Sequence, residues 1–208
     1  MLPFRFYLIT DRRNGRHDPV EWLPRLAERG LRALQVREKD LPPAELAGFC
    51  RRLQAALSDS RRGLRLFLND RADLALALGF AGVHLREESL PLSEQPAPLR
   101  NALQFGVSAH SVDGVRAAAA AGAAFATFGP VYETPSKAAY GDPVGLEGLE
   151  AAARAAPLPL LALGGVTPER VPECLAAGAA GVAAISAIWN ADDPLAALER
   201  FREALGGL

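Results

Sequence analysis

The sequence predicts an α/β fold, a single (β/α)8 TIM barrel spanning residues 1–208. Three observations predict it. Short apolar runs alternate with longer Ala-, Leu- and Arg-rich stretches of helical period, the pattern of parallel βα units. Eight such units share 208 residues, about 26 each, which suits a lean barrel. Polar and charged residues gather where the strand-like runs end, the face that carries the active site in this architecture.

The strands are expected at Phe4 to Thr10, Ala33 to Arg37, Arg65 to Asn69, Gly82 to Arg86, Gln104 to Ser108, Phe125 to Gly129, Leu160 to Leu163 and Gly181 to Ser186. Helix punctuation falls between them. Pro19 precedes Val20 to Arg29, Leu41-Pro42-Pro43 precedes Ala44 to Leu57, and Thr167-Pro168-Glu169 offers an N-cap followed by proline. Gly30, Gly79, Gly122 and Gly178 stand where helices should stop. A doubly wound open sheet is the alternative, but its phosphate-binding first turn needs a G-x-G-x-x-G pattern, and the turn Thr10-Asp11-Arg12-Arg13-Asn14-Gly15 has none.

Composition narrows the function. The 23 basic and 24 acidic residues give a net charge of -1, so nothing draws the chain in bulk to nucleic acid or to an anionic membrane. An anion site must be local. Cys50 and Cys174 lie far apart without metal-ligand spacing and read as buried thiols of a reducing compartment. No apolar stretch approaches the ~20 residues of a membrane span, and the N-terminus lacks the long apolar run of a signal peptide. A cytoplasmic enzyme with a small-molecule ligand is expected, and homo-oligomers are compatible with it.

The strand ends supply the chemistry. Strand 2 ends in Gln35-Val36-Arg37-Glu38-Lys39-Asp40, and alternation puts Gln35, Arg37 and Lys39 on one side, an amide and two cations facing one ligand. Strand 3 ends in Asn69-Asp70-Arg71, strand 4 in His84-Leu85-Arg86-Glu87-Glu88-Ser89, and strand 5 in Ser108-Ala109-His110-Ser111. Each run alone could be a solvated strand end; four together point to a site. The segment 129–141 is the longest without helical or strand pattern, and its Thr134, Ser136 and Lys137 could close over an anion. Gly164-Gly165 after strand 7 and Ile185-Ser186 after strand 8 stand where many barrels hold phosphate through backbone N–H groups. Of the three histidines, His17 reads as surface and His84 as a hydrogen-bonded core residue. His110, among small polar neighbours just past strand 5, is the candidate acid/base.

In order and spacing these runs resemble the thiamine phosphate synthase/TenI superfamily along nearly the whole chain. The matching segments are Tyr7-Leu8-Ile9-Thr10-Asp11-Arg12, Gln35 to Asp40, Asn69 to Ala75, Gly82-Val83-His84-Leu85, Gly106 to Ser111, Gly129-Pro130-Val131, Gly164-Gly165-Val166 and Val182 to Ser186. The resemblance implies a (β/α)8 barrel that binds a thiazole phosphate or thiamine phosphate, with the phosphate on Gly165, Ile185 and Ser186 and Thr134 nearby. The superfamily holds two activities. Its synthases join a pyrimidine pyrophosphate to thiazole phosphate with Mg2+ held by two aspartates; Gln35, Arg37, Lys39, Asn69 and Lys137 match their pyrimidine and pyrophosphate positions, and Asp70 matches the first metal ligand. Where they read Gly-Gln-Glu-Asp, however, this chain reads Arg86-Glu87-Glu88-Ser89, and Glu133-Thr134-Pro135-Ser136-Lys137 departs from their Pro-Thr-x-Thr-Lys. A neutral hydroxyl binds Mg2+ far less well than a carboxylate. Both departures point to the TenI branch, a metal-free and cofactor-free thiazole tautomerase with His110 moving the proton. The synthase is the alternative, and a sensor that binds thiamine phosphates without catalysis is the reading from another class. On strand alternation, Glu88 could replace the missing ligand only if the strand 4 loop shifts by one residue.

Overall fold

A computed structural model describes residues 2–57, 63–134 and 142–207. Eight parallel strands close into a barrel in sequence order: β1 (Phe6–Ile9), β2 (Ala33–Val36), β3 (Arg65–Asn69), β4 (Gly82–Leu85), β5 (Gln104–Ala109), β6 (Phe125–Phe128), β7 (Leu160–Ala162) and β8 (Gly181–Ala184). The ring is closed by β1 against β8, with Phe6 opposite Val182. Helices run between and after the strands: α1 (Pro19–Glu28), α2 (Pro43–Leu57), α3 (Ala72–Ala77), α4 (Ala97–Ala102), α5 (Val112–Ala120), α6 (Gly145–Ala155), α7 (Val171–Ala176), α8 (Ser186–Trp189) and α9 (Pro194–Leu205).

All eight expected strands are present, and several end one or two residues early because their last residues leave the ladder to form the mouth. The helix starts follow side-chain chemistry. Asp18 accepts from the Val20 N–H at 2.9 Å and places Pro19 at the first position of α1, Ser111 accepts from Gly114 at 3.1 Å, and Asp193 accepts from Leu195 at 2.8 Å. Thr167 differs from expectation. It precedes a single 3-10 turn, Pro168–Arg170, rather than α7 itself, and its side chain makes no cap bond. Cys50 and Cys174 are free and buried, as the sequence predicts. Among the described residues no helix is long and apolar enough to cross a membrane.

Alternation along each strand sorts side chains into two cores. Leu8, Leu34, Val36, Leu66, Leu68, Val83, Phe105, Phe128 and Val182 face outward and pack under the helices. The opposite parity faces inward: Tyr7, Phe67, Phe125 and Leu161, joined by Phe4 from the segment before β1, fill the barrel interior. The four aromatic rings touch in every pairing, with centroids 5.2–5.9 Å apart and mostly edge-to-face. They plug the lower barrel. Gly106 makes room for them, since a Cβ there would lie 2.4 Å from the Phe125 ring and 2.7 Å from His84 Nδ1.

Above the plug lies one polar tier. His84 is buried, with Nδ1 3.4 Å from the Tyr7 hydroxyl and Nε2 3.1 Å from Ser108 Oγ and 3.4 Å from Thr127 Oγ1. Burial, reinforced by the nearby Arg37 charge, pushes its pKa down to about 3. An unfolded histidine titrates near 6.5. Between those values the unfolded chain binds a proton that the native chain refuses, so this contribution to stability is complete above about pH 6.5 and is lost as pH falls towards 3. Urea unfolding at pH 7 and pH 5 should show a His84-dependent loss of about 2 kcal/mol. In His84→Gln that part of the loss should vanish; equal losses in the two proteins would contradict this account.

Candidate active site

The inward parity does not stop where the ladders end. In six of the strands the interior series continues one step further, into Arg37 after Gln35, Asn69 after Phe67, Arg86 after His84, His110 after Ser108, Gly129 after Thr127 and Ile185 after Ala183. All of these line one cavity of about 670 Å3 at the C-terminal mouth, and so does Lys39. Closure brings together residues as far apart in the chain as Arg37 and Ile185.

The β2 end shows how the chain separates front from back. Gln35 is buried, Arg37 half-buried and Lys39 exposed, and all three line the cavity. The Arg37 N–H donates to Thr10 Oγ1 at 2.9 Å, which ties this end to β1. Glu38 takes the opposite parity. It is buried behind the mouth, accepts from the Arg12 N–H at 3.3 Å and pairs with the Arg12 guanidinium, which also contacts Asp40. Burial raises the Glu38 pKa, partly offset by these bonds. The acidic half of the motif is structural support, and the cationic half faces the cavity.

At the β3 and β4 ends the residues join in one cluster. Asn69 lines the cavity, and Asp70 follows in a left-handed conformation (φ 67°), its N–H bonded to the His84 carbonyl at 3.0 Å. Its carboxylate receives Arg86 Nε at 2.7 Å, Arg86 Nη2 at 2.6 Å and the Ser89 hydroxyl. Residues 86–89 form a turn, with the Ser89 N–H on the Arg86 carbonyl and the Arg86 N–H on Ser89 Oγ. This corrects the expectation for Glu88. It lines the cavity with no shift of the loop, because alternation applies to extended backbone and not to a turn.

The donor set bears on Mg2+, which the family resemblance implies. Among the described residues no three His, Cys, Asp or Glu side chains converge on one point. Asp70 is occupied by a guanidinium and a hydroxyl, and Ser89 supplies a neutral oxygen. A hard divalent cation is held by carboxylates or their equivalents, so these residues do not fit the two-aspartate site.

Across the mouth the chain is different. Gly164 and Gly165 have φ of +96° and +65°, and a Cβ on Gly165 would lie 2.7 Å from the Glu133 carbonyl oxygen. Only glycine suits that turn. Two residues that nothing in the sequence marked hold it: Arg170 donates to the Gly165 carbonyl at 2.6 Å and stacks 4.3 Å over the Tyr132 ring, whose hydroxyl donates to Glu173 at 2.5 Å. Ile185, Ser186 and Asn190 line the cavity beside it.

Between the two arcs stands His110, exposed at the rim. Its Nδ1–H donates to the Gly129 carbonyl, so whenever the ring carries a single proton Nε2 is the acceptor. Thr134 lines the cavity; Ser136 and Lys137 lie outside the described residues. His17, expected at the surface, is half-buried, bonded to the Ala191 carbonyl and packed on Trp22.

The thiamine monophosphate synthase family model matches residues 6–188. The chain is 49% identical over 192 residues to a putative thiamine-phosphate synthase of Geobacter sulfurreducens, covering 92% of this chain and 89% of that protein. It is 36% identical over 200 residues to a thiamine-phosphate synthase of Moorella thermoacetica, covering 96% and 94%. Among solved structures, the thiamine phosphate pyrophosphorylase of Pyrococcus furiosus superposes with a TM-score of 0.84 at 30% identity, over 98% of this chain and 96% of that one. The chain therefore belongs to the thiamine monophosphate synthase/TenI family of (β/α)8 barrel enzymes of thiamine biosynthesis.

Proposed function

We propose that the chain is a thiamine phosphate synthase, the activity named for its relatives and the alternative to the tautomerase that Ser89 and segment 133–137 suggested. One observation carries this reading. The cations Arg37, Lys39 and Arg86 come from the β2–β4 arc, while the glycine turn and Ser186 come from β7 and β8. In the closed ring β4 lies four strands and β2 two strands from β8, so the cations and the glycine turn occupy different sides of the cavity, which supports two separate anion sites. Two phosphorylated substrates need two such sites, and the activity named for the relatives joins two phosphorylated substrates.

In this reading the thiazole phosphate sits on Gly164, Gly165, Ile185 and Ser186, near Thr134. The pyrimidine lies against the amides of Gln35 and Asn69 and the Ser108 hydroxyl, with its pyrophosphate towards Arg37 and Lys39. The thiazole ring nitrogen forms a bond to the exocyclic methylene carbon of the pyrimidine. The bond from that carbon to the pyrophosphate oxygen breaks, and pyrophosphate leaves with the electron pair. No proton needs to move at the reacting atoms. The contribution of the chain is to hold the two partners within reach and to place fixed donors around the departing charge.

A second reading rests on a specific observation: His110 has a fixed tautomer with its acceptor nitrogen available at the rim, as a tautomerase base requires. Purified protein given both substrates should release thiamine phosphate and pyrophosphate in equal amounts by liquid chromatography. Aromatisation of a carboxylated thiazole phosphate with no condensation would overturn the synthase in favour of the tautomerase. Replacing His110 separates the two mechanisms. His110→Ala should lower condensation less than about tenfold, whereas a general base would cost roughly 10²-fold or more. At the opposite end, Ser186→Ala should weaken thiazole phosphate binding about tenfold in calorimetry, the scale of one hydrogen bond to a charged group. Unchanged affinity would remove the phosphate from β8.

A further inference from the structure

The Arg86 side chain binds Asp70, the carboxylate that the family resemblance would give to a metal ion. Inward parity carries it from the end of β4 into the cavity, and the 86–89 turn then returns the Ser89 hydroxyl to one oxygen of Asp70 while Arg86 Nε and Nη2 bind the other at 2.7 and 2.6 Å. Its Nη1 stands 3.5 Å from Glu88. The guanidinium therefore sits between two carboxylates, and the left-handed backbone at Asp70 aims one of them at it.

We infer that Arg86 is a tethered replacement for the divalent cation and binds the pyrophosphate group of the pyrimidine substrate directly. The inference rests on the condensation reading above. A guanidinium has five N–H donors in a planar fork that matches phosphate oxygens. Asp70 accepts the Nε–H and stands 2.6 Å from Nη2, which orients the group. The edge formed by Nη1 and Nη2 presents N–H donors that point away from that oxygen. Glu88 is a weak competitor for them, because its side chain is 78% exposed and its contact is screened by water. Arg37 and Lys39 line the same cavity and add charge of the same sign. Ser89 then has a role that an aspartate could not fill: its hydroxyl donates to Asp70 and accepts from the Arg86 N–H, so it locks the arginine. An aspartate at 89 would add a second negative charge against Asp70 and draw in a metal instead.

Titration of the full chain with inorganic pyrophosphate by calorimetry tests this, in EDTA and again in Mg2+. The dissociation constants in the two buffers should agree within about threefold. Arg86→Gln should weaken binding roughly 10- to 100-fold, as expected for charge-assisted bonds. Arg86→Lys, which keeps the charge and loses the fork, should fall between, and far-UV circular dichroism checks that both variants fold. Pairing Arg86→Gly with Ser89→Asp should make pyrophosphate binding depend on Mg2+. Binding that needs Mg2+ in the parent protein, or an Arg86→Gln variant that binds as tightly as the parent, would overturn the inference. Condensation assayed in the same buffers keeps it distinct from the activity. Product in both buffers supports both; product only with Mg2+ overturns the role of Arg86 and leaves the synthase standing. No product in either buffer removes the synthase, and the titration still decides Arg86.

Discussion

Closure of the sheet is the constraint on which everything else depends. In a ring of eight parallel strands a side chain faces either the interior or the helices, and strand alternation assigns that choice by parity. Tyr7, Phe67 and Phe125 take the interior, while Leu8, Leu66 and Phe128 go under the helices. The same parity, extended past the strand ends, assigns Arg37, Arg86 and His110 to the cavity and Glu38 to the back. A single-residue slip in any strand would exchange core for site.

The interior packing gives the cavity its floor and its direction. Four aromatic rings in mutual contact leave no room below, and the tier of His84, Ser108 and Thr127 forms the transition from apolar plug to polar mouth. A neutral His84 suits that place, because a charge buried next to Arg37 would be opposed twice, by desolvation and by repulsion. The overall charge of -1 conceals this arrangement. Acidic partners such as Glu38 and Asp40 are drawn behind the mouth by Arg12, so that cations dominate the β2 end of a nearly neutral protein.

Much of this was legible in the chain. Apolar periodicity located all eight strands, and the four helix-terminal glycines have positive φ as their positions require. The mouth residues of β2 could be selected by strand alternation, and those of β5, β7 and β8 by residue type at the strand ends, all of them local properties. What escaped was non-local or non-extended. Glu88 was misjudged because a turn begins at Arg86, and Thr167 because a 3-10 turn intervenes before α7. Arg170 and Tyr132, which support the Gly165 turn, lie beside marked runs but carry no signal of their own and meet only after folding.

The choice of activity shows the same division. Ser89 in place of an aspartate was read in isolation as the loss of a metal site and hence of the synthase. In three dimensions it belongs to a cluster with Asp70 and Arg86. The sequence by itself determined the barrel, the family and the identity of the residues at the mouth, since each follows from local periodicity and ordered short motifs. Only the tertiary structure decided which side of the mouth each charge occupies and which cation faces Asp70. Those are distances between strands far apart in sequence, and no local pattern encodes them.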